Sequence, residues 1–274
     1  MSTDSTFSTL TVMMDGPRGD IRLNRPDKLN AISDTMLHEL VEAAHFCDAR
    51  SEIKVVVISG AGRSFSAGAD VTMIDAPVES TSAARSLTQR RHPTAEAGSQ
   101  MADAIEGMEA VTVCQLHGHC VGGGAVLASA CDIRVAAEGT VFSIPELFLG
   151  IPLAWGGIPR LVRDVGAAKT KELVMTGRRF GAAEAAAAGL VNRVVPEERL
   201  EEEVRLLVDS LLDKSMFTLG ATKRYVNAVA EHMVDLKRAW NDAHSLEAAL
   251  RDPESRAARI SYLERFRTDH QRSD

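Results

Sequence analysis

Gln115-Leu-His-Gly-His-Cys-Val-Gly-Gly-Gly-Ala-Val-Leu-Ala-Ser-Ala-Cys-Asp132 decides how the rest of the chain is read. An apolar run, Val111 to Leu116, enters the glycine turn Gly122, Gly123 and Gly124. The chain passes at once into Ala125 to Cys131, which reads as a helix with almost no polar face. A helix apolar all round is normally buried. Its first N–H groups lack intrahelical partners and carry the positive end of the helix dipole. Glycines there allow another molecule close to the backbone. The stretch therefore suits a negatively charged oxygen. It equally suits a tight turn whose small residues let a helix pack closely on a sheet, and the stretch alone does not choose.

Working outward, 274 residues allow one large domain, or one domain with an appendage. Aromatics make up only 4%, so the core must be aliphatic and alanine-rich. A net charge of −7 argues against a general nucleic-acid surface, which needs a basic footprint, but leaves room for a local basic pocket. Cys47, Cys114, Cys120 and Cys131 sit in apolar surroundings without framework spacing, so reduced thiols in a cytoplasmic protein are expected. Met1 to Leu10 shows no signal-peptide pattern, and no apolar run reaches the length of a membrane span.

Towards the N-terminus, Thr9 to Met14 and Gly19 to Leu23 flank an Asp-Gly-Pro turn, a hairpin signal. Asn24 to Asn30 is a polar loop. Ser33 is a good N-cap for a helix whose apolar residues Met36, Leu37, Leu40, Val41, Ala44 and Cys47 recur at helical spacing. Ile53 to Ile58 is a continuous aliphatic strand, the kind found in sheets covered on both faces. Gly60-x-Gly62 follows it, but Phe65 stands where a dinucleotide fingerprint needs its third glycine, so that reading is rejected. Asp75 to Gln100 is irregular, and Met101 to Met108 reads as helix.

Beyond the glycine turn, Asp132 to Ala136 and Thr140 to Phe142 read as strands. Helical segments follow near Ile158 to Val165, Ala168 to Met175 and Ala182 to Ala188, then a last strand, Leu190 to Val195. From Pro196 the pattern is helical. The expected division is a core over 1–195 and a helical tail over 196–274.

Ser66 to Asp70 and Gly122 to Gly124 are two glycine-containing loops, each after an apolar strand. Neighbouring parallel strands would place them on one sheet edge, where such sheets bind ligands. Phe65-Ser-Ala-Gly-Ala-Asp70, His117-Gly-His-Cys-Val-Gly-Gly-Gly124, Pro145-Glu146, Leu149-Gly150 and Trp155-Gly-Gly157 together resemble the crotonase superfamily of enoyl-CoA hydratases and isomerases. The resemblance runs from Asn24 to the tail. It implies an α/β fold, a crotonase-type spiral of strand-strand-helix units with a helical C-terminal region. It implies that the Ala69 and Gly123 N–H groups form an oxyanion hole for an acyl-CoA thioester, with Gly122 beside it. Ala67, Gly68, Ala69 and Asp70 would follow the coenzyme A path. Arg25, Lys28 and tail cations such as Arg267 are candidates near its phosphates. No metal or separate cofactor is implied, coenzyme A being part of the substrate. The family forms trimers or dimers of trimers, whose last helices complete a neighbour's site; a tail folded over its own core is the other possibility.

Glu146 is the candidate general acid/base, although Ser143-x-x-Glu146 is also a capping-box pattern. The resemblance places a hydratase's second glutamate at position 126, where this chain has Val126. A single carboxylate resembles the isomerases, which take a proton from one carbon and return it two carbons away. Hydration would need another acid, for which Asp75 is the candidate. Phe148, Trp155 and the Asp75 to Gln100 stretch are expected to shape the acyl pocket. Two further readings stay open. Gly118-His-Cys-Val-Gly122 imitates a nucleophile elbow, making Cys120 the nucleophile of a thioester hydrolase. The aliphatic tail would also serve a non-enzymatic interaction protein. His117 and His119 match no zinc spacing.

Overall fold

A computed structural model describes residues 7–71, 93–235 and 242–271, with the backbone alone for 93–95 and 266–271. Its strands are β1 (Leu10–Asp15), β2 (Arg18–Leu23), β3 (Val55–Gly60), β4 (Val111–Leu116), β5 (His119–Val121), β6 (Ile133–Ala137), β7 (Val141–Ser143), β8 (Phe180–Gly181) and β9 (Arg193–Val195). The main sheet runs β1-β2-β3-β4-β6-β9, and a second runs β5-β7-β8. The first pair is the expected antiparallel hairpin, and the rest of the main sheet is parallel. Each helix following a strand pair carries the chain to the next parallel strand, which produces the strand-strand-helix spiral.

The continuous aliphatic strands are covered on both faces. Val56, Ile58, Cys114, Leu116 and Ala136 belong to a core shared with α1 (Asp34–Asp48), α2 (Pro93–Glu106) and α3 (Gly123–Ser129). Val55, Val57, Val113 and Val135 face the other way, against Leu200, Val204, Leu207 and Val208 of α6 (Leu200–Leu212). Each such side chain contributes about 1.5–3 kcal/mol on burial. Ser33 caps α1 as expected, its Oγ accepting from the Met36 N–H at 3.2 Å.

Some expectations shift. The helix expected from Met101 starts at Pro93, and Asp75 lies outside the described residues. The last strand is confined to Arg193–Val195, because Leu190 and Val191 bury themselves against the end of α5 (Ala182–Ala188). The two helical segments after Ile158 form one element, α4 (Gly157–Thr176), kinked at Gly166.

The tail folds back over its own chain. Beyond α6, α7 (Met216–Met233) is pinned by Lys223, whose Nζ donates to the Ala110 carbonyl at 2.9 Å and pairs with Asp132 at 2.8 Å. Phe217, Tyr225, Val226, Val229 and Met233 of α7 remain exposed. In α8 (Asp242–Arg251), Asp242 Oδ2 accepts from the Gly156 N–H at 3.0 Å. Then α9 (Pro253–Gln271) lies over the 3-10 turn Glu146–Leu149. Among the described residues no helix is long and apolar enough to cross a membrane. All four cysteines are buried and unbridged.

Candidate active site

Asn30, which the sequence offers only as one polar residue of a loop, holds the first glycine loop in place. It is fully buried, and its Nδ2 donates to the carbonyls of Ala61 and Ser64, both at 2.8 Å. Its own carbonyl accepts from Ser66 Oγ at 2.9 Å. This loop is stitched to the second one. The Phe65 N–H donates to the His117 carbonyl and the Ser66 N–H to the His119 carbonyl, each at 2.9 Å, while Val121 N–H returns to the Ser66 carbonyl at 3.1 Å. No sequence signal singles Asn30 out, since Asn24 opens the same loop with the same side chain.

Backbone pairing also orients the two candidate donors. Ile32 N–H bonds the Gly68 carbonyl at 2.8 Å, and the Asp70 N–H bonds the Ile32 carbonyl at 2.9 Å. In this parallel bridge Ala69 is the residue between, so its N–H points to the opposite side. Gly123 is the first residue of α3, and its N–H has no intrahelical acceptor. Neither amide has an acceptor among the described residues. The loops approach closely: a Cβ built on Gly68 would lie 2.9 Å from the Val121 carbonyl oxygen and 3.7 Å from the Gly123 nitrogen.

Glu146 faces this corner. It opens the 3-10 turn after Pro145, yet its side chain caps nothing, so the capping-box reading is not realised. The Ser143 carbonyl instead accepts the Gly122 N–H at 2.9 Å, joining β7 to the glycine turn. Gly122 has φ 48° and ψ −116°, and the Glu146 carboxylate occupies the space a Cβ would need, its Cδ lying 3.2 Å from that position. Glu146 is 8% exposed, and its Oε2 has no partner among the described residues. Burial pushes its carboxyl up to about 7, partly opposed by its own backbone N–H. A buried, unsatisfied carboxylate oxygen calls for an explanation.

The other sequence candidates distribute as follows. Val126 is 1% exposed and packs against Gly157, where a Cβ would come within 2.7 Å of its Cγ2. Trp155 is buried against Gly123. Phe148 turns outward, 45% exposed, and stacks on Tyr262 of α9 with centroids 6.3 Å apart. Burial raises the Tyr262 hydroxyl, and the Glu146 charge adds to that shift. Arg25 is engaged by Asp70 at 2.9 Å and by the Ala31 carbonyl at 2.5 Å, whereas Lys28 is exposed on a short turn. Ala67 is half-buried, its N–H bonded to the Leu29 carbonyl at 2.9 Å. Cys120 is fully buried within β5, and burial raises its thiol, removing the accessible thiolate a cysteine nucleophile requires. The Arg267 side chain lies outside the described residues.

The family model for enoyl-CoA hydratase/isomerase matches residues 19–272. The chain is 33% identical over 248 residues to a probable enoyl-CoA hydratase of Mycobacterium bovis, covering 88% of this chain and 92% of that protein. It is 33% identical over 230 residues to the peroxisomal Delta(3,5)-Delta(2,4)-dienoyl-CoA isomerase of Arabidopsis thaliana, covering 81% and 82%. The crystal structure of an enoyl-CoA hydratase from Mycobacterium avium subsp. paratuberculosis K-10 shares the fold with a TM-score of 0.81 at 25% identity, covering 93% of this chain and 99% of that one.

Proposed function

Given that this chain belongs to the enoyl-CoA hydratase/isomerase family, we propose that it shifts the double bond of an enoyl-CoA thioester, with Glu146 as the one proton carrier. The observation that carries this reading is that Glu146 is the one carboxylate buried beside this helix N-terminus among the described residues, with apolar Val126 where the family resemblance calls for a second.

The thioester oxygen accepts from the Ala69 and Gly123 N–H groups. Glu146 removes a proton from C2 of a 3-enoyl thioester. The C2–H electron pair becomes a C1–C2 double bond as the carbonyl pair moves onto oxygen. Fixed donors stabilise that enolate without reorganising, and losing one such donor elsewhere costs about 100 to 1000-fold. Glu146, now a carboxylic acid, protonates C4. The C3–C4 π pair forms the new C4–H bond, the C1–C2 pair moves to C2–C3, and the oxygen pair reforms the thioester carbonyl. A carboxyl balanced near neutrality can both take and return a proton.

Ala67, Gly68 and Asp70 follow the coenzyme A moiety, with Arg25 fixing Asp70 and Lys28 near the phosphates. Coenzyme A arrives as part of the substrate, and the proposed chemistry uses no further cofactor. The exposed apolar side chains of α7 support assembly into a homotrimer or a dimer of trimers. The four unbridged thiols support a cytoplasmic setting. Hydration is the second reading, favoured by the hydratase names of relatives; it needs another acid, such as Asp75.

Glu146→Gln tests the proposal. Turnover should fall by about 100 to 10,000-fold, while calorimetric binding of a non-reactive acyl-CoA persists. Undiminished turnover would remove Glu146 from the chemistry.

A further inference from the structure

Gly98 of α2 and Gly123 of α3 have no room for a Cβ, and in both places the obstacle is the Trp155 indole. The five-membered ring presses on Gly98. The six-membered ring presses on Gly123, its Cη2 lying 2.9 Å from the position a Cβ would take. The side chain is thus a wedge between two helices, 6% exposed, immediately beside the N-terminus of α3.

The backbone beneath it is held in an unfavourable conformation. Trp155 has φ 61°, the left-handed region that bulky side chains rarely adopt. Gly156, next in the chain, is clamped from both sides. Its N–H donates to Asp242 Oδ2 at 3.0 Å, and its carbonyl accepts from Arg160 Nη1 at 3.2 Å. Arg160 is itself buried and fixed by Glu106 at 2.6 Å and Asp103 at 2.8 Å. Strain maintained by surrounding structure at a ligand site points to a role for the strained residue.

We propose that the Trp155 indole is an end-stop that restricts the site to short acyl chains. The inference rests on the acyl-thioester reading above. With the carbonyl oxygen beside Gly123 and the reacting carbons within reach of Glu146, a chain continuing toward α2 meets the ring. Trp155 is a specificity residue in this account, and Arg160 and Asp242 are positioning residues acting through Gly156.

The test measures kcat/KM for 2-enoyl- and 3-enoyl-CoA thioesters of four to twelve carbons with wild type, Trp155→Phe, Trp155→Leu and Trp155→Ala. One methylene in an apolar pocket is worth roughly 10 to 200-fold. Wild type should therefore lose at least about tenfold between four and ten carbons. Trp155→Ala should raise the ten-carbon to four-carbon ratio by at least about tenfold. Trp155→Leu should raise it less, and it carries the test if the alanine variant fails to fold; Trp155→Phe should stay near wild type. A wild type that prefers ten or twelve carbons, or a folded leucine or alanine variant with an unchanged profile, overturns the end-stop while leaving the acyl-thioester reading intact. A wild type that neither binds nor converts any thioester overturns that reading, and the end-stop with it.

Discussion

Glu146 and Trp155 press on consecutive residues of one helix N-terminus, the carboxylate on Gly122 and the indole on Gly123. Both come from a single ten-residue segment that begins with the 3-10 turn at Glu146 and ends at Trp155, two residues before α4. The glycine turn therefore does more than shorten a loop. Each glycine admits one side chain to the same corner, where the Gly123 N–H has no acceptor among the described residues. A methyl group on either glycine would displace the group it admits.

Gly122→Ala should consequently damage both stability and activity. Its φ of 48° with ψ of −116° is foreign to alanine, and the new methyl would meet the Glu146 carboxylate. Backbone strain of this kind costs about 1–3 kcal/mol. Denaturant titration should show that loss. Turnover of the folded fraction should fall by at least about 100-fold. Wild-type turnover in this variant would mean that the carboxylate does not need its observed seat.

The raised carboxyl of Glu146 makes a stability prediction with a definite sign. In the unfolded chain Glu146 ionises near 4.5, whereas in the fold burial delays ionisation to about 7. The folded state thus holds the extra proton between these values. The corresponding stability is fully present below 4.5 and is lost as pH rises through 7. Glu146→Gln lacks this loss. Its stability relative to wild type should grow between pH 4.5 and 7 and level off above, reaching on the order of 3 kcal/mol. Chemical denaturation of both proteins across that range reads the difference. A constant difference would show that the carboxyl is not held neutral by the fold.

The exposed side of α7 gives a prediction about assembly. Val226→Glu with Val229→Glu places two charges on the face that also shows Tyr225 and Met233. Neither valine belongs to the buried core, so the monomer fold should persist. Sedimentation equilibrium should report a multiple of the 29.5 kDa chain for wild type and a single chain for the variant. An unchanged mass would place the assembly face elsewhere.

Much of the fold was legible because it is written in local patterns. The Ser33 cap, the hairpin around Asp15-Gly16-Pro17 and the aliphatic strands Val55–Gly60 and Val111–Leu116 all depend on neighbouring residues. Strands β5 and β8 escaped notice because they are three and two residues long and are defined by pairing with β7, not by composition. The start of α2 was hidden by Pro93 and Gly98; the glycine looks like a breaker, yet it makes room for Trp155. At the site, Glu146 and the glycine turn carry visible motifs. Asn30 does not, because its role exists only once Ala61 and Ser64 are folded against it. The Ser143-x-x-Glu146 pattern misled for the converse reason: the Ser143 carbonyl is bonded to Gly122, a contact distant in sequence.

One measurement bears most directly on the single-carboxylate chemistry. Purified wild type is given 3-enoyl-CoA and 2-enoyl-CoA of equal chain length, and the products are separated and quantified. Isomerisation of the 3-enoyl thioester should exceed hydration of the 2-enoyl thioester by at least about 100-fold, the smallest contribution expected of a general acid/base group. Rapid formation of the 3-hydroxyacyl product with no double-bond shift would contradict the account, because a second acid would then be working where Val126 supplies none.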